Sequence, residues 1–322
     1  MKLLLTSVAM LMFSLSYAQQ KQDVYFLKNN GRYVDVRDSA DYMRIIRPPD
    51  SASTLYNVFE YYINGKQKLV GKSTTINPPR FEEQCATFYK NGVRQSITKY
   101  KNGQPIGNQY KFYPNGKPYL VKEYPDNDSP FNEINSNFLI KECFDSLGTV
   151  LIKDGNGIYK GYDDDFKNVN EAGSVKNGKK DGLWKGNVKH NEISYIETYE
   201  NGNLVTGTAT FEDGKITTYT KAQGIVPQFD GGVDAFGKFL GQNIHYPLDA
   251  RRNNIQGTVI LSFIVEKDGR VAHVIVSKSV SQSLDDEAVR VLKKSPLWIP
   301  GMQFGRAIRV SYSVPVNFTL RN

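Results

Sequence analysis

The chain has 322 residues, with 41 Lys+Arg against 33 Asp+Glu for a formal charge of +8. Its 39% hydrophobic and 12% aromatic content, with 20 Tyr and 17 Phe, suits a folded, strand-rich protein and excludes a disordered one. Two cysteines, Cys85 and Cys143, are too few for a disulfide scaffold; in an oxidising compartment they either pair or stay as two buried thiols, and the sequence favours neither.

The opening stretch "MKLLLTSVAMLMFSLSYAQQ" has one charge at Lys2, an apolar run from Leu3 to Leu15, and small residues at Ser16 and Ala18. This is the pattern of a secretory leader over residues 1–18, and the run is short of the roughly 20 residues a membrane span needs. The expected product is an exported protein of the periplasm or cell envelope, held at the inner membrane only if the leader is retained. Loss of Lys2 lowers the charge to +7, and the basic residues are dispersed. An exported chain without a basic stripe is not expected to bind nucleic acid.

Residues 19–55 form an N-terminal segment that closes on Pro48-Pro49 and reads as a strand pair of its own. From residue 56 to 220, short aromatic and β-branched runs alternate with Asn64-Gly65, Asn91-Gly92, Asn102-Gly103, Asn115-Gly116, Asn177-Gly178, Asn201-Gly202 and Asp213-Gly214. Such pairs supply the two positive-φ positions of a tight hairpin turn, so the stretch is expected to be a stacked hairpin array. The rhythm lapses in "PDNDSPFNEINSN" and "YDDDF", which read as loops. The segments "KDGLWKG", "YENGNLVTG" and "FEDGKI" resemble the MORN-type repeats of bacterial exported proteins. That family packs the aromatic of each hairpin against the next glycine-containing turn, which is the expected place of Trp184.

"KAQGIVPQFDGG" breaks the rhythm, and residues 221–229 read as a linker ahead of a last domain, 230–322. There, Val233, Phe236, Phe239 and Leu240 recur at helical spacing. Val259, Leu261, Phe263 and Val265 alternate along a strand that turns at Asp268-Gly269 and returns from Val271 to Val276. "SLDDEAVRVLKKS" reads as an amphipathic helix capped by Ser283, with Leu284, Ala288, Val291 and Leu292 on one face. "IRVSYSVPVNFTL", residues 308–320, alternates so regularly that one strand is expected across it. The fold class is thus a mostly β N-terminal hairpin-repeat array plus a small α+β C-terminal domain, α-β-β-α-β, with an antiparallel sheet and helices on one side.

The stretches "VPQFDGG", "YPLDARRNNIQGTVILSFIVEKDG", "LDDEAVRVLKKSPLWIPG" and "GRAIRVSYSVPVNF", in that order, resemble the C-terminal domain of TonB as found in Bacteroidetes-like bacteria. The resemblance covers residues 225–318. It implies a domain that grips a short extended peptide of an outer-membrane receptor as an added strand beside its last strand. It also implies Trp298 covering the end of the sheet. The peptide-binding edge would be Arg309, Val310, Ser311, Tyr312, Ser313, Val314, Pro315 and Val316. The receptor contact would be Asn243, Ile244, His245, Tyr246 and Pro247. Proline in a sheet is tolerated at an edge, so Pro315 fits a strand open to a visiting peptide; it equally fits a bend where the strand ends. Tyr246-Pro247 has the plain alternative of a helix-start signal. In the family, force comes from an ExbB/ExbD-type motor through a membrane helix and a Pro-rich spacer. Here the spacer is replaced by the hairpin array, so motor coupling requires an uncleaved leader or a partner that holds the array.

No catalytic constellation stands out, and no cofactor is expected. "GKQKLVGKS" has five residues between its glycines where a P-loop needs four, and "TTINPP" cannot open the following helix. His190, His245 and His273 form no metal-spaced pair, and the donors of "DGNGIYKGYDDD" do not follow calcium-loop spacing. Three readings result: a non-enzymatic peptide-binding envelope protein, a scaffold that self-associates into homodimers through the same edge, and, weakest, an enzyme.

Overall fold

The computed structural model describes residues 22–126, 138–188, 192–220 and 222–320. The leader, residues 1–18, and His190 lie outside the described residues. Two compact units meet in sequence at Gly157 and Ile158.

The first unit is built of antiparallel strands: β1 (Asp23–Leu27), β2 (Tyr33–Val34), β3 (Tyr42–Arg47), β4 (Tyr56–Tyr62), β5 (Gln67–Ser73), β6 (Phe81–Phe88), β7 (Arg94–Lys101), β8 (Gln104–Phe112), β9 (Pro118–Tyr124), β10 (Leu139–Phe144) and β11 (Val150–Lys153). From β3 onward each pairs with the next. The N-terminal segment is no separate strand pair, because β3 pairs with β4 along its length and carries β1 with it. The loop expected over "PDNDSPFNEINSN" lies mostly outside the described residues, at 127–137, and strands resume at Leu139.

The turns fall into two classes that the dipeptides alone do not separate. Asn102, Asn177 and Asn201 have positive φ together with the glycine that follows, as expected. At Asn64, Asn91, Asn115 and Asp213 only the glycine does. There the side-chain oxygen accepts the N–H two residues on, at 2.9–3.1 Å, an Asx turn that spares the residue the left-handed region. In the first unit these second-class turns stack. The Tyr62 hydroxyl donates to the Phe88 carbonyl (2.8 Å), Tyr89 to Phe112 (2.6 Å) and Tyr113 to Phe144 (2.8 Å). The amides of Asn64, Asn91 and Asn115 donate likewise to carbonyls of the next turn. On the neighbouring strands the buried Glu60 takes two part-buried cations, the guanidinium of Arg44 at 2.7 Å and the ammonium of Lys68 at 2.5 Å. Cys85 and Cys143 are buried thiols and form no disulfide.

The second unit begins within β12 (Asn156–Tyr162) and continues through β13 (Val169–Lys176), β14 (Lys179–Val188), β15 (Ile193–Glu200), β16 (Asn203–Thr210) and β17 (Ile216–Tyr219). Here three large aromatics each lie across a glycine of the paired strand. Trp184 faces Gly173, Tyr195 faces Gly186 and Tyr219 faces Gly207. A Cβ on those glycines would stand 2.2–2.3 Å from the rings. These three aromatics therefore pack on mid-strand glycines and not on turn glycines, because the missing side chain leaves room for a ring.

The C-terminal part comprises β18 (Gly224–Ile225), α1 (Gly232–Asn243), α2 (Leu248–Arg252), β19 (Gly257–Val265), β20 (Val271–Lys278), α3 (Gln282–Lys293), β21 (Gly301–Gln303), β22 (Arg306–Ile308) and β23 (Val310–Phe318). It exceeds the expected α-β-β-α-β order by α2 and by a small sheet ordered β18-β21-β22. The main sheet is ordered β20-β19-β23. One face buries Val259, Leu261, Phe263, Val265, Val314, Val316 and Phe318 against Phe236, Leu284, Ala288 and Leu292. Trp298 sits among Phe229, Phe236, Phe263 and Tyr312, with ring centroids 5.2–5.9 Å away. On α1 the expected apolar face is incomplete, since Val233 is 87% exposed. The cap of α3 is Ser281 and not Ser283: its hydroxyl accepts from Leu284 N–H, and Ser283 lies inside the first turn.

Candidate functional site

The stretch 308–320 is two strands and not one. Ile308 ends β22, paired with Gly301; Arg309 lies between strands, its guanidinium 3.0 Å from Glu266; β23 then runs from Val310 to Phe318 beside β19. The break is where the chain leaves the small sheet for the main one. Alternation survives it, so the sequence pattern hides the switch.

β23 pairs with β19 in unbroken antiparallel register, Pro315 opposite Ile260 and Ser313 opposite Ser262. In such a pair, residues alternate between exchanging hydrogen bonds and pointing their N–H and C=O away. Pro315 has no N–H to exchange, so it belongs to the outward set, with Ser311, Ser313 and Asn317. The closer spacing of that set agrees with the side-chain bonds across it, Ser262 to Ser313 at 2.8 Å and Thr258 to Asn317 at 2.7 Å. Val310, Tyr312, Val314, Val316 and Phe318 therefore bond to β19. Among the described residues no strand pairs with the other side of β23. It presents four outward carbonyls and, at Ser311, Ser313 and Asn317, three outward N–H donors. Pro315 is not at the strand end.

The opposite edge differs. Along β20 the register slips twice, and His273, exposed, has φ 52°. That bulge disrupts the ladder and blunts strand addition there. β23 is the regular edge.

Asn243 through Pro247 connect α1 to α2. Arg290 and Glu287 of α3 clamp this connection. Arg290 donates to the Asn243 carbonyl at 2.7 Å, and the His245 N–H donates to Glu287 at 2.5 Å. Burial works against the Glu287 charge, but the Arg290 hydrogen bonds and the His245 N–H outweigh it and hold the carboxyl below its ordinary range. Tyr246 turns inward. Its ring meets Phe318 edge-on at 5.9 Å and its hydroxyl donates to the Ile255 carbonyl. Pro247 is the N-cap of α2. Tyr246-Pro247 thus starts a helix, as its plain alternative expects, and Tyr246 packs at the C-terminal end of β23. The His245 side chain is exposed. The sequence carries no sign of this clamp, because Glu287 and Arg290 lie more than 40 residues from the connection they hold.

No group of three or more His, Cys, Asp or Glu residues is placed to hold a metal among the described residues. No helix among them is long and apolar enough to cross a membrane.

The family described as the Gram-negative bacterial TonB protein C-terminal matches residues 242–320. No curated protein and no solved structure matches the chain. The match begins in the last turn of α1, takes in the 243–247 connection, and ends just beyond β23. This quarter of the chain is therefore similar to the C-terminal domain of Gram-negative bacterial TonB proteins.

Proposed function

We propose that this is a non-enzymatic envelope protein whose C-terminal domain captures an extended peptide of an outer-membrane receptor by strand addition along β23. The observation that carries the reading is the regular, unpaired edge inside the TonB-type match. Backbone bonds from the outward groups of Ser311, Ser313, Pro315 and Asn317 supply grip that tolerates varied sequence, while neighbouring side chains set preference. The exposed His245 and the Asn243–Pro247 connection flank the far end of the strand and serve as a second contact. The hairpin array stands where the family has its Pro-rich spacer. Coupling to an ExbB/ExbD-type motor belongs to this reading only with a retained leader or a partner that holds the array.

The test is titration of the full chain with synthetic N-terminal plug peptides of receptors, followed by amide chemical shifts. Binding should move Ser311, Ser313 and Asn317, and Ser311→Pro should weaken it. Absence of binding to any such peptide, or shifts confined to β20, would count heavily against the reading. The same open edge supports a second reading, self-association into a homodimer. Sedimentation showing concentration-dependent dimers that Ser311→Pro dissolves would favour it.

A further inference from the structure

The tip of a β-hairpin is ordinarily polar and exposed, but the β21–β22 tip is Phe304-Gly305, and Phe304 is 3% exposed. The residue adopts φ 47°, a region costly for a side chain without a local hydrogen-bonding group. Something must compensate, and the surroundings show what. Its ring stacks on Tyr195 of β15 at 5.2 Å and meets Tyr219 of β17 edge-on at 5.7 Å. Its carbonyl accepts the Thr217 hydroxyl, and its N–H donates to Gln223. A Cβ on Gly305 would stand 2.7 Å from the Thr218 carbonyl oxygen. Arg306 extends the contact, 2.9 Å from Asp213 and over the Phe211 ring.

The connection between array and domain is tied down too. Gly224 and Ile225 pair with Gln303 and Met302. Gln223 donates to the fully buried Glu197, which also accepts from Tyr199 and Tyr219. A segment that reads as a linker is thus a strand with a polar anchor.

We propose that the β21–β22 hairpin is a plug that joins hairpins β13–β17 and the C-terminal sheet into one rigid body, so that tension on β23 is delivered to the repeat array. The chain itself draws the route. β22 runs into β23 across the single residue Arg309, so the plug lies directly N-terminal to the edge that takes the load. The tension clause rests on the peptide-capture reading above; the lock does not.

The lock is tested on the full chain with spin labels at Thr208→Cys in β16 and Lys278→Cys in β20, both exposed positions. The native thiols are buried and do not compete. One narrow distance distribution is expected, broadened by Phe304→Ala and restored by Phe304→Tyr. A broad distribution in the parent, or an unchanged one in Phe304→Ala, overturns the lock. Slow exchange of the Val316 amide in Phe304→Ala shows that the sheet itself still folds. Tension is tested by pulling between covalent handles at Ser311→Cys and Thr208→Cys, which needs no peptide. The parent should rupture in one step and Phe304→Ala in two, the weaker first. Two steps in the parent overturn the load path, whatever the fate of peptide capture.

Discussion

Replacing Pro315 by alanine tests the assignment of outward and inward groups along β23, because the two phases give opposite results. With Pro315 outward, the new N–H faces solvent and adds nothing to the β19 ladder. Only the chain-stiffening effect of proline on the unfolded state is lost, and stability falls by about 0.4–1 kcal/mol. With position 315 inward, the new N–H would form a ladder bond worth about 0.5–1.5 kcal/mol, and stability would hold or rise. Urea unfolding of the full chain gives the sign, and hydrogen exchange gives the direction independently. The amide introduced by Pro315→Ala should exchange quickly while those of Val314 and Val316 stay protected. The edge also gains its missing donor, so peptide binding should strengthen by roughly twofold to tenfold, with a greater tendency to self-associate. Protection of the introduced amide together with raised stability would refute the assignment and with it the geometry proposed for capture.

Gly173→Ala forces a methyl group against the Trp184 indole and should cost about 1–3 kcal/mol, seen as a lower urea midpoint with the near-ultraviolet tryptophan signal altered. Glu60→Ala leaves the part-buried charges of Arg44 and Lys68 without their carboxylate and should cost about 3–5 kcal/mol, measured the same way on the full chain. The Glu287 carboxyl lies below its ordinary value in the folded protein. Its stabilisation is therefore complete above the unfolded-state value and lost as pH falls through the folded one. Glu287→Gln should flatten that acid limb of the stability profile, and an unchanged limb would contradict the clamp. The Cys85 thiol is pushed up to about 12, chiefly by burial; it should resist thiol reagents at pH 8 in the folded protein and react on denaturation.

The main sheet was legible because its apolar residues alternate on a strict period of two: Val259, Leu261, Phe263 and Val265 are all buried. The helix Gln282–Lys293 was legible for the same reason at its own period. The break at Arg309 was not, since a chain that changes sheets without changing phase leaves no mark in the alternation. Nor was the role of Phe304: "MQFGRA" has the composition of an ordinary turn, and only Tyr195 and Tyr219, far away in sequence, make it an interior position. In the array, Asn-Gly located the turns but not their class. Asn64 and Asn102 precede glycine alike, yet one folds its side chain onto the backbone and the other takes positive φ.

The stacked turns of the first unit have a sense of direction. Each tyrosine hydroxyl donates toward the later turn, from Tyr62 through Tyr89 to Tyr113. Asparagine repeats the bond at each joint, while the lysine of the first and third joints is Val93 in the second. A joint that is nearly identical each time, and never reversed, lets whole units be gained or lost in evolution without redesigning a core. Each unit of two strands adds about 10 Å of ladder. Loss of half a unit would instead set a tyrosine opposite the wrong face of its neighbour. Repeat number is then a heritable dial for length, turned only in whole clicks.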